Sequence, residues 1–87
     1  MNKDMKELKA RSNLLEPSLI MGKNGLTDNT IKAIKNLLKS KKLIKVKILK
    51  SCIEGKDKKE LFNEIAKKTD SILVHKVGFV IVLYKKE

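Results

Sequence analysis

A chain of 87 residues is long enough for one domain that buries roughly 60–65% of its unfolded surface, and too short for a catalytic cleft between two domains. Its hydrophobic fraction is 41%, and it holds a single cysteine and a single histidine, which excludes an internal disulfide and points away from a zinc site. The net charge is +11, and its placement says more than its size.

Residues 21–50 hold nine lysines against one acid, Asp28, so +8 of the charge falls in this segment. Evenly scattered lysine would mark only a solvated surface. Concentrated lysine predicts a face that binds a polyanion, most commonly nucleic acid. No apolar run approaches the roughly 20 residues that cross a bilayer. The opening Met1-Asn2-Lys3-Asp4 carries no apolar signal core, so a cytoplasmic protein without a membrane partner is expected. No metal and no cofactor are expected either.

Taken in order, Met1, Met5, Leu8, Ser12 and Leu15 recur at helical spacing between charged residues, and predict an amphipathic helix over 3–13. Pro17 lacks an N–H and biases Glu16 away from helix, which ends the helix by about residue 15. Residues 18–21 read as a short strand. Gly22-Lys23-Asn24-Gly25 follows, two glycines around a cation and an amide. Glycine lets backbone approach a ligand closely, and a loop that feeds a helix start points N–H groups and the positive dipole end outward. Such a loop suits a phosphate.

Thr27 or Asp28 is the expected N-cap of a helix over 28–41, with Ile31, Ile34, Leu37 and Leu38 as its buried stripe. Beside that stripe Lys32, Lys35, Lys39 and Lys42 fall within an arc of about 80°, a cationic ridge that starts one turn beyond the glycine loop. Residues 43–49 alternate, with Ile44, Val46 and Ile48 on one face and Lys45 and Lys47 on the other. Residues 51–56 read as a turn. Asp57 with Glu60 resembles a capping box before a helix over 57–68, whose Leu61, Phe62, Ile65 and Ala66 face inward. Residues 72–74 and 79–84 read as a closing hairpin around Gly78, and the last strand, apolar on both faces, belongs in the centre of the sheet. The expected architecture is α/β: a single domain over 1–87, a two-layer α-β-α-β-α-β-β sandwich with a four-stranded mixed sheet.

Three separated stretches, Leu19-Ile20-Met21-Gly22-Lys23-Asn24-Gly25-Leu26-Thr27, Leu43-Ile44-Lys45-Val46-Lys47-Ile48, and Val77-Gly78 with Val82-Leu83-Tyr84-Lys85, closely resemble the CRM domain. That family is named for chloroplast RNA splicing and ribosome maturation, and includes stand-alone bacterial YhbY-like proteins. The resemblance implies an α-β-α-β-α-β-β fold and a G-x-x-G loop like that of KH domains, which clamps the backbone of about four nucleotides. It therefore implies an RNA-binding loop of Gly22, Lys23, Asn24 and Gly25, extended by Arg11 and by the ridge of Lys32, Lys35 and Lys39. Single-domain members resemble large-subunit ribosome assembly factors, so the implied partner is ribosomal RNA or a pre-ribosomal particle, bound by a monomer. Lys85 departs from the family pattern where arginine is common, and lacks the planar fork that grips a phosphate bidentately. Phe79 stands where a polar residue is frequent.

Enzymatic chemistry finds little support. Cys52 and His75 are the only nucleophile and base of the required kind, they fall in different elements, and no third group joins them. Glu60, Glu64 and Lys68 form an i, i+4 ladder on a helix surface. The competing non-enzymatic reading is a protein-interaction or translation-factor-like module that docks on the ribosome. Phe62 and Tyr84 are expected in the core, while an exposed Phe79 could stack on a base.

Overall fold

The computed structural model describes residues 5–22, 25–53, 55 and 57–86. Its elements run α1 (Met5–Ser12), β1 (Leu19–Met21), α2 (Asp28–Lys41), β2 (Leu43–Ile48), α3 (Lys50–Ile53), α4 (Lys58–Lys68), β3 (Ser71–Val77) and β4 (Val80–Lys85). The four strands form one mixed sheet in the order β1-β2-β4-β3, with β1 parallel to β2 and the other neighbours antiparallel. β4 takes a central place, as its doubly apolar pattern requires.

Alternation along the strands divides the core in two. Ile44, Val46 and Ile48 of β2, with Ile81 and Leu83 of β4, meet Ile34 and Leu38 of α2 and Leu61, Phe62 and Ile65 of α4 in the main cluster. On the opposite sheet face Leu43, Val82 and Tyr84 join Val74 and Leu8 of α1 in a smaller one. The sandwich thus carries a partial cover on its second face, and the thin apolar edge of α1 spends itself on Leu8, which is 2% exposed.

Helix boundaries follow local chemistry. Thr27 caps α2, its side chain accepting from the Thr30 N–H at 3.2 Å, and Asp57 caps α4 by accepting from the Lys59 N–H at 3.0 Å. Two differences from the sequence reading have physical causes. The segment expected to be a turn after β2 contains the one-turn helix α3, because Cys52 and Ile53, 4% and 8% exposed, are drawn into the main core. β3 runs on through His75 and Lys76 to Val77, since an irregularity between Leu73 and His75 resets its pairing with β4 and turns Val74 into the smaller cluster.

Lys45 is more than a solubilising residue. Its Nζ donates to the Leu15 carbonyl at 3.2 Å and the Ser18 N–H donates to the Lys45 carbonyl at 2.7 Å, so this lysine pins the α1–β1 connection to the sheet.

Candidate nucleic-acid interface

The glycine loop leaves the sheet at its parallel edge. Met21 is 1% exposed, and its carbonyl accepts from the Leu49 N–H at 2.9 Å, which fixes the strand up to Gly22. Gly25 takes φ +70° and donates its N–H to the Gly22 carbonyl at 3.0 Å, which holds the two glycines together. Positive φ explains the glycine at 25. Gly22 has no such backbone demand, and a Cβ placed there would meet Leu49 Cδ1 at an ordinary 3.7 Å. Lys23 and Asn24, the expected centre of the loop, lie outside the described residues.

The start of α2 is less of an anion hole than a bare helix end. Its Thr30 N–H is taken by Thr27, the Thr30 hydroxyl donates to the Gly25 carbonyl at 3.4 Å, and Asp28 puts a carboxylate in the first turn. That carboxylate already complements the dipole. Attraction for an anion must come chiefly from the lysines.

Lys32, Lys35 and Lys39 are all exposed along α2, and span about 10 Å of helix axis. None of them forms a salt bridge with another described residue. At the far end Lys35 and Lys39 meet Lys85 and Lys86 around a shallow hollow with Leu38, Thr69 and Asp70. Lys85 and Lys86 belong to no sequence cluster with α2. Only the β2–β4 pairing, extended by the Lys85 N–H donating to the Lys42 carbonyl at 2.7 Å, brings them there.

Arg11 is also exposed, but α1 packs on Leu43, Val82 and Tyr84, across the sheet from α2. The structure therefore does not place Arg11 on the ridge; it shares its face with Lys45 and Lys47. Cys52 sits inside the main core, whereas His75 lines a groove on the opposite face with Ser12, Asn13, Lys45 and three valines, so the two are held apart. Among the described residues no group of three or more His, Cys, Asp or Glu is placed to hold a metal ion, and no helix is long and apolar enough to cross a membrane.

A mixed four-stranded sheet backed by helices, with a glycine turn leading into a lysine-lined helix, defines a small basic α/β module. The chain belongs to the CRS1/YhbY (CRM) domain family, whose model matches residues 1–85. It is 38% identical over 84 residues to "Probable RNA-binding protein YqeI" of Bacillus subtilis, covering 97% of this chain and 85% of that one. It is also 38% identical over 78 residues to "Probable RNA-binding protein MJ0652" of Methanocaldococcus jannaschii, covering 90% of this chain and 58% of that protein. Among solved structures, protein SAV1595 of Staphylococcus aureus superposes with a TM-score of 0.78 at 34% identity, covering 95% of this chain and 84% of that one.

Proposed function

We propose that this chain binds RNA through its sugar-phosphate backbone, with the Gly22–Gly25 turn as the tip of the surface and Lys32, Lys35 and Lys39 as its body, and that it serves assembly of the large ribosomal subunit in the cytoplasm. The observation that carries the reading is the run of three exposed α2 lysines, without described acidic partners, that begins one turn beyond a glycine turn. Phosphate contacts of this kind fix position without reading sequence, so affinity is broad and sequence preference modest. Family membership and relatives that carry RNA-binding names support the reading.

Crosslinking in cells followed by sequencing of the bound RNA tests it. Enrichment of large-subunit ribosomal RNA is the expected result. RNA recovered without that enrichment overturns the assembly role and leaves the RNA-binding reading in place. Recovery of ribosomal protein without RNA favours a protein-docking module instead.

A further inference from the structure

The chain has three aromatic residues, and two are spent on the core: Phe62 is 0% and Tyr84 9% exposed. The third, Phe79, is 40% exposed. Its position is fixed on both sides. Gly78, at the first of the two loop positions between Val77 and Val80, takes φ +58°, where a two-residue hairpin favours glycine. The Phe79 carbonyl accepts from the Ile48 N–H at 2.7 Å.

That bond ties the Phe79 backbone to the end of β2. Ile48 is paired with Met21 on its other side, so Met21, the residue before the turn, and Phe79 flank one strand, two strand spacings or about 10 Å apart. Leu49, 40% exposed, follows Ile48 between them and approaches Gly22. Lys58 Nζ stands over the Phe79 ring, 5.0 Å from its centroid, a cation–π contact that occupies part of one ring face and brings a positive charge to it.

We infer that Phe79, steadied by Lys58, is a stacking platform for one unpaired nucleobase of the bound RNA. The inference rests on the RNA-binding reading and adds a preference that phosphate contacts cannot supply. A π-face accepts any base but only an unstacked one, so single-stranded or bulged RNA is favoured over continuous duplex. The occupant is a base because the exposed ring carries the Lys58 ammonium against it, which suits a ligand that is flat, apolar on its faces and joined to phosphate.

The test uses the full chain with a single-stranded RNA decamer and a blunt RNA duplex. Phe79→Ala is expected to weaken decamer binding by about 5- to 150-fold, with much less effect on the duplex and an unchanged salt dependence. Phe79→Leu, which keeps apolar volume without a π-face, behaves as alanine. The chain contains no tryptophan, so Phe79→Trp supplies a single tryptophan, excited selectively over Tyr84, that retains affinity and is quenched by the decamer. If the wild type binds RNA and Phe79→Ala binds the decamer equally well, or loses decamer and duplex alike, the stacking role is overturned and the RNA-binding reading stands. If the wild type binds neither RNA at low salt, both fall together.

Discussion

The Gly25 N–H donates to the Gly22 carbonyl at 3.0 Å, so the two glycines that frame the loop are bonded directly to each other. They do different work. Gly25 is buried with φ +70°, a conformation that costs an L-residue about 1–2 kcal/mol. Gly22 has room for a methyl group. Gly25→Ala should therefore lower stability by about 1–2 kcal/mol, read as a shift of the urea midpoint, and weaken RNA binding with it. Gly22→Ala should leave stability within about 0.5 kcal/mol, yet weaken RNA binding if, as proposed, a phosphate approaches the backbone at Gly22.

The ridge lysines should act additively and without regard to sequence. Replacing Lys32, Lys35 and Lys39 together by alanine removes up to three phosphate contacts. The slope of log K against log salt should flatten by about 2, at roughly 0.7 per contact, with the same loss for RNAs of unrelated sequence. Lys23→Ala combined with Lys35→Glu should likewise weaken binding across sequences while the circular-dichroism spectrum stays unchanged. Arg11→Ala, across the sheet from the ridge, should change the slope less than any ridge lysine.

Thr27 ties the loop to the helix. Thr27→Ala removes the acceptor for the Thr30 N–H and should cost about 1 kcal/mol. Faster amide exchange in the first turn of α2, with exchange in α4 unaffected, is the specific signature.

Cys52 and His75 separate structure from chemistry. Cys52 is 4% exposed in the core, so Cys52→Ala should lower stability by about 1 kcal/mol through lost burial and a small cavity. His75→Ala, at a half-buried position, should cost less. Neither change should alter RNA affinity measured below the melting transition.

Where periodicity is strong, the fold was legible residue by residue. Ile34 and Leu38 give α2 its buried stripe, and the alternation of Ile44, Val46 and Ile48 against Lys45 and Lys47 gives β2 its two faces. α3 was not legible, because four residues hold too little period to distinguish one helical turn from a loop. The irregularity after Leu73 was hidden for a similar reason: it follows from packing Val74 beneath α1, which no local pattern announces. Within the candidate site, the Lys32, Lys35 and Lys39 row could be read from a helical wheel. Lys85, Lys86, Lys58 and the setting of Phe79 depend on strand pairing between distant segments. The placement of Arg11 depends on which sheet face α1 covers, a choice that Leu8 makes by packing against Tyr84 and Val82.

The most direct measurement is a salt titration of the wild-type chain binding a fragment of large-subunit ribosomal RNA. If Lys23, Lys32, Lys35 and Lys39 each neutralise a phosphate, log K falls linearly with log salt, with a slope of about −3 between roughly 50 and 200 mM. Affinity that holds constant over that range, or no binding at its lower end, would contradict a phosphate-gripping surface built on the glycine turn and the α2 lysines.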